Sequence, residues 1–274
     1  MPILTQRSAR VRDARKLTRR QGRAKAGLFL AEGPQAVREA LAATAQQRPG
    51  LVTDLFASPP AATRYADIVD AALAAGIPVH HADEPALAAL SETMTPQGLV
   101  AVCRLLSVPL GAALDGAPHL VAILAEARDP GNAGTVIRCA DAAGADAVVL
   151  TRGSVDPHGG KSVRASAGSV FHLPICADAD LETTIAAARE RGLRVLAADG
   201  AGDLDLDEAE ATGLLARPAA WLFGNEAHGL PSASRELADE VVRVPIYGRA
   251  ESLNLATAAA VCLYASARAQ RRVR

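Results

Sequence analysis

At 274 residues, half of them hydrophobic and 22% charged, the chain has a globular composition with room for one large domain or two modest ones. No apolar run approaches the ~20 residues that span a bilayer, and no apolar stretch follows the N-terminal arginines, so neither a membrane span nor a secretory leader is expected. The net charge of −1 conceals an asymmetry: residues 1–26 hold nine Lys/Arg against one acid, Asp13, a net +8 that leaves −9 on the remainder. A basic arm on an acidic body suits a polyanionic partner, and clustered cations favour nucleic acid, with Arg12, Arg15, Lys16, Arg19 and Arg20 as the candidate contacts. Cys103, Cys139, Cys176 and Cys262 form no CxxC pair and have no histidine cluster beside them. Free thiols in a reducing cytoplasm are therefore expected, and neither a disulfide framework nor a metal site.

Along the chain, "LFLAEG" (28–33) reads as a strand, with a helix starting near Pro34, since proline suits a first helical turn. "LVTDLF" (51–56) is a second strand and 63–76 a helix stopping at Gly76; "IPVHH" and "GLVAVCRL" complete a small α/β unit over 27–106. Residues 107–118, with proline and glycine near both ends and little periodicity, read as a linker. From residue 119 the alternation restarts with near-continuous apolar runs, "HLVAILAE", "ADAVVL", "VFHLPI", "LRVLAAD", "AAWLFG" and "VVRVPI". Helical periodicity separates them at 134–144, 160–168, 181–192 and near 231–238, and a final helix of about 20 residues starts near Leu253. Strands alternating with helices imply a parallel sheet covered on both faces, over 119–274.

Ligands of such sheets bind beyond the carboxyl ends of the strands, where this chain places "EARDPGNAGTVIR", "FGNEAHGL" and "VPIYGRAESLN". A dinucleotide G-x-G-x-x-G and a phosphate-binding GxxxxGK[ST] are both missing, which removes most of the weight from NAD and ATP. "GNAG" (131–134) opens a helix whose N–H groups could face an anion. Gly224 ends an apolar strand without a side chain, a place where backbone could come close to a ligand.

Taken together, 132–150, 222–230 and 244–264 resemble, in order, the three motifs of the SpoU/TrmH family of RNA ribose 2′-O-methyltransferases. The resemblance implies a trefoil-knotted α/β domain that binds S-adenosyl-L-methionine, without metal, and forms a homodimer through the knotted region. It puts the methyl donor against Gly224, Val244, Ile246 and Leu253, and the chemistry on Arg138, Asn132, Glu226, Ser252 and Asn254. Arg138 is proposed in the family as the base. A guanidinium is essentially always protonated, so binding a phosphate and stabilising the developing alkoxide fits its chemistry better. Glu226 would orient Arg138 or Asn132, and Ser252 would complete the network beside the donor. Ala227 stands where the family usually has glycine, and His228 at a variable position. A similar stretch in related enzymes makes Lys161 and Arg164 candidates for phosphate contact.

The first half resembles, less specifically, the small substrate-binding domain of some family members. The layout is closest to the branch directed at ribosomal RNA, which includes the thiostrepton-resistance methyltransferases. Aromatic residues are only 3% of the chain, so RNA recognition should rest on phosphates and shape. The expected function is a cytoplasmic, dimeric RNA 2′-O-methyltransferase acting on ribosomal RNA. A transfer-RNA enzyme of the same fold and a non-catalytic RNA- or ribosome-binding protein are the alternatives.

Overall fold

The computed structural model describes residues 3–225 and 229–273, which group into two compact units. The first runs to Leu106 and takes up Asp156–His172; the second holds Ser107–Val155 and the chain from Leu173 onward.

The first unit is built on four strands, β1 (Leu28–Glu32), β2 (Val52–Ala57), β3 (Val79–His81) and β4 (Leu99–Arg104), in the order β1-β4-β2-β3. β4 runs antiparallel to β1 and β2, and β3 runs parallel to β2. The basic segment expected as an arm is part of this unit. It forms the helices Ala9–Arg15 and Arg20–Ala26, and Val11, Ala14 and Leu17 enter a core with Leu30, Phe56, Leu90 and Val102. Apolar residues three apart make one buried helical face, while Arg12, Arg15, Lys16, Arg19 and Arg20 remain exposed. Arg23 differs from them: buried, it donates from Nε to Asp156 Oδ2 at 2.8 Å and from Nη1 to the carbonyls of Leu17 and Thr18 at 3.0 and 3.1 Å. Burial alone would raise the Asp156 carboxyl, but hydrogen bonds from His158 and the Arg23 charge hold it well below the usual carboxylate range.

Three local expectations change. The helix expected over 63–76 breaks at Tyr65 into Pro59–Arg64 and Ala66–Ala74. The helix Glu84–Leu90, capped by the Asp83 carboxylate on Ala86 N, adds an element. "VFHLPI" is no strand at its start: Ser169–Phe171 is a 3-10 turn, and Phe171 lies 6.0 Å from Phe29, ring to ring, in the first unit. Its apolar residues serve another core than the one their neighbours in sequence serve.

The second unit carries seven strands: β5 (Leu120–Leu124), β6 (Ala147–Thr151), β7 (Ile175–Ala179), β8 (Arg194–Ala198), β9 (Leu204–Asp205), β10 (Ala219–Phe223) and β11 (Glu240–Arg243). They pair in parallel in the order β7-β6-β5-β10-β8-β11-β9. β10 is thus inserted late, between β5 and β8, and every residue of β5 and β10 is buried. On one face Ala220 and Leu222 pack with Val121, Ile123 and Ile185; on the other, Trp221 donates from its indole N–H to Ser266 Oγ at 2.8 Å on the final helix, Leu255–Arg272. Residues 107–118, expected as a linker, are built into this unit. Ser107 bridges to Ile175, and Ala113, at the end of the short helix Leu110–Ala113, joins the core with Leu114 just beyond it.

All four cysteines are free, and burial pushes the Cys262 thiol up to about 12. Among the described residues, no helix is long and apolar enough to cross a membrane, and no group of three or more His, Cys, Asp or Glu is arranged to hold a metal.

A candidate active site at the carboxyl ends of the strands

β10, β8 and β11 are adjacent and parallel, so their carboxyl ends open on one side of the sheet. A cleft of about 450 Å³ lies there, and Gly224, Val244, Ile246, Ser252, Leu253 and Asn254 all line it. Residues of the second and third motifs, 20 or more positions apart in sequence, therefore meet in one cleft, whereas no residue of 132–150 lines it.

Gly224 answers to a constraint other than the one its sequence context suggested. A Cβ at this position would stand 2.4 Å from the carbonyl carbon of Gly229 and 2.6 Å from Leu230 N. The chain doubles back on itself, with Asn225 and Gly229 exchanging backbone hydrogen bonds of 3.1 and 2.9 Å. The glycine is needed first for this close return of backbone on backbone, and it lines the cleft as well. Asn225 Nδ2 donates to the Glu126 carbonyl at 2.8 Å, joining the end of β10 to the segment after β5. Glu226, Ala227 and His228 lie outside the described residues, and with them the expected pairing of Glu226.

Asn132 and Asn254 are brought together. Asn254 Oδ1 caps the final helix by accepting from Ala256 N at 2.9 Å, and its Nδ2 donates to Asn132 Oδ1 at 3.0 Å. Asn132 sits in the first turn of the helix Pro130–Ala143, whose cap, Asp129, accepts from Asn132 N at 2.8 Å. The Asp129 carboxylate thus occupies the helix N-terminus that "GNAG" suggested for an anion. Arg138, further along this helix, is exposed; it does not line the cleft and has no ion-pair partner among the described residues. Lys161 and Arg164 belong to the first unit, where Lys161 is exposed and Arg164 Nη1 is committed to Glu32 Oε2 at 2.9 Å.

The sequence reading missed Asp199, which follows β8 and lines the cleft. Its Oδ1 accepts from Ala201 N at 3.0 Å and from Arg235 Nη1 at 3.1 Å, and its Oδ2 from Leu230 N at 3.3 Å. One carboxylate thereby fixes the turn after β8, the return segment after Gly229 and the helix Ser232–Glu236. An acid followed by glycine at the end of the apolar run "LRVLAADG" was the available signal. Beyond β11 the loop is exposed, and Tyr247 donates its hydroxyl to Asp207 Oδ2 at 2.7 Å, a bond that raises the phenol's pKa.

The lining favours one kind of ligand. Ile246, Leu253, Leu255 and Ala258 make an apolar wall, Ser252 and Asn254 offer polar groups, and the charged residues among the described lining are Asp199 and Glu251, both acidic. A polyphosphate would meet two carboxylates there; a cation with an apolar body would be favoured. S-adenosylmethionine, a sulfonium joined to a nucleoside, matches this donor set.

Fold and cleft define an α/β protein with an all-parallel sheet whose carboxyl edge suits a small cationic ligand, joined to a second α/β unit with a basic surface. The chain belongs to the SpoU rRNA Methylase family, which matches residues 119–264, and residues 8–101 match the MRM3-like substrate binding domain. It is 35% identical over 265 residues, 96% of this chain and 97% of the relative, to the 23S rRNA (guanosine(2553)-2'-O)-methyltransferase RlmP of Bacillus subtilis. An AdoMet-bound rRNA methyltransferase from Sinorhizobium meliloti is similar in structure, with TM-score 0.81, 31% identity, and 97% and 98% of the two chains covered. The SpoU methyltransferase AviRb from Streptomyces viridochromogenes, in complex with AdoMet, gives TM-score 0.80 at 29% identity over 97% and 99%.

Proposed function

We propose that this chain is a S-adenosylmethionine-dependent RNA 2′-O-ribose methyltransferase acting on 23S ribosomal RNA. The observation that carries the reading is the meeting of Gly224, Val244, Ile246, Ser252, Leu253 and Asn254 in one cleft with no basic residue among its described lining. The Bacillus subtilis relative, a 23S rRNA 2'-O-methyltransferase, supports the chemistry, and two similar structures hold AdoMet.

Gly224, Val244, Ile246 and Leu253 would hold the donor, with Asp199 and Glu251 favouring its positive charge. When bound, S-adenosylmethionine supplies an electrophilic methyl group on its sulfonium, to which the 2′-oxygen bonds as the carbon–sulfur bond breaks. The Asn132–Asn254 hydrogen bond fixes the starts of two helices beside the cleft and so the position of the groups that align the hydroxyl. Arg138, exposed, binds the adjoining phosphate and stabilises the oxyanion that forms as the hydroxyl releases its proton to solvent. The second unit is knotted and pairs with a second copy in the cytoplasm. Ile246 and Tyr247 after β11 and Val261 and Tyr264 on the final helix, all exposed, support that pairing, and Arg138 then acts where two copies meet. The first unit, including the basic helices, holds the RNA.

The test is methyl transfer from labelled S-adenosylmethionine to unmodified 23S rRNA and to transfer RNA, followed by nucleoside mass spectrometry. A 2′-O-methylated nucleoside from 23S rRNA is the expected product. Transfer to transfer RNA alone would replace the substrate, and binding of RNA with no transfer and no donor affinity would make the chain a non-catalytic binder.

A further inference from the structure

A groove of about 610 Å³ opens in the first unit between the two basic helices and the face of the sheet. Its floor is apolar, made by Ala14, Leu17, Leu28, Phe56 and Val102. Its rim is cationic, with Arg10, Lys16 and Lys25, and Lys25 has no ion-pair partner among the described residues. Two carboxylates interrupt this pattern. Asp13 Oδ1 accepts from Lys16 Nζ at 2.7 Å. Asp54 shares its strand face with buried Phe56, and its Oδ1 accepts from His80 Nε2 at 2.8 Å and lies 3.5 Å from Arg10 Nη1. Asp54 Oδ2 takes no hydrogen bond from a described residue, although the side chain is only 27% exposed.

We propose that this groove takes one unpaired RNA nucleotide, its base on the apolar floor and its phosphate on the Arg10–Lys16–Lys25 rim. The occupant's class rests on the reading of the chain as an RNA methyltransferase; the groove's chemistry gives the rest. An apolar slot ringed by cations fits a flat aromatic group joined to a phosphate, and Asp54 Oδ2 offers an acceptor at its edge. A lone carboxylate oxygen accepts from the exocyclic amine of adenine, cytosine or guanine. Uracil presents its N–H between two carbonyl oxygens that the carboxylate repels. The groove therefore prefers amino-bearing bases, a preference that phosphate contacts alone do not give.

Fluorescence anisotropy with labelled A12, C12 and U12 oligoribonucleotides tests this on the full chain. Ala26→Trp fills the groove from an exposed position without changing charge. It should weaken A12 and C12 binding about tenfold while thermal melting and S-adenosylmethionine binding stay unchanged. Lys16→Ala/Lys25→Ala should lower the salt slope of binding by about 1.4, the release expected for two single-strand phosphate contacts. Asp54→Asn should erase the preference for A12 and C12 over U12. Wild-type binding by the Ala26→Trp and double-lysine variants, in a protein that methylates 23S rRNA, would overturn the groove and leave the methyltransferase reading intact. Weakened oligonucleotide binding by Ala26→Trp in a protein that transfers no methyl group would sustain the groove and overturn that reading. Equal affinity of the wild type for all three oligonucleotides would overturn base selection by Asp54.

Discussion

A methyl group at position 224 would stand 2.4 Å from the carbonyl carbon of Gly229, well inside any nonbonded contact. Gly224→Ala must therefore push the return segment outward. We expect a loss of about 1–3 kcal/mol in unfolding free energy and at least tenfold weaker S-adenosylmethionine binding, measured by denaturant titration and calorimetry. Normal donor affinity in a folded variant would show that the turn does not shape the cleft. Arg138 tests the opposite case, a residue that adds nothing to stability. It is exposed and has no ion-pair partner among the described residues, so Arg138→Ala should leave melting and donor binding unchanged while turnover falls by about 100-fold or more. Undiminished turnover would remove Arg138 from the chemistry. Gly224 and Asp199 are legible in the sequence to different depths. Gly224 was identified at the end of its strand, but the carbonyl that excludes a side chain comes from a backbone return that no residue pattern announces. Asp199 was not identified at all, because its three partners come from segments two, 31 and 36 residues away.

At the scale of elements, apolar run length and helix-end chemistry located most strands and helices. Pro34, Gly76 and Gly144 mark boundaries as their backbone preferences require. The failures share a cause. For "VFHLPI" and residues 107–118 the neighbouring sequence points to a strand and a linker, whereas Phe171 and Leu114 pack in cores fixed by tertiary contact. The segment Asp156–His172 depends on such contact, and the pair Arg23–Asp156 is its charged fastening, with side chains 7% and 17% exposed. Asp156→Asn leaves Arg23 short of its counter-charge, and at neutral pH should cost about 3 kcal/mol. The carboxyl is depressed in the folded chain, so its contribution is present above the unfolded value, near pH 4, and is lost as pH falls through the lower folded one. Stability curves of wild type and variant should accordingly lie apart at pH 7 and approach one another below about pH 4. Parallel curves down to strong acid would mean the pair contributes through packing alone.

For the whole molecule, the charge asymmetry was the most visible feature of the sequence, and its use is the least visible. Most of the +8 of residues 1–26 sits on helical segments, so the segment cannot be removed without losing Val11, Ala14 and Leu17 from a core. Truncation would therefore report unfolding and not RNA contact. Substituting exposed cations separates the two. Arg12, Arg15, Arg19 and Arg20 point their charge at solvent, and none has an ion-pair partner among the described residues. Arg12→Gln/Arg15→Gln/Arg19→Gln/Arg20→Gln should shift the melting temperature by a few degrees at most, since surface substitutions of this kind cost little, within about 0.5 kcal/mol each. If all four face RNA phosphates, the slope of log affinity against log salt falls in magnitude by about 3, and binding at low salt weakens far more than at high salt. Counterion release requires that pattern, because each lost contact returns about one ion to the polymer. An unchanged slope at normal stability would move the RNA to another surface and leave the basic helices a solvated face of the first unit.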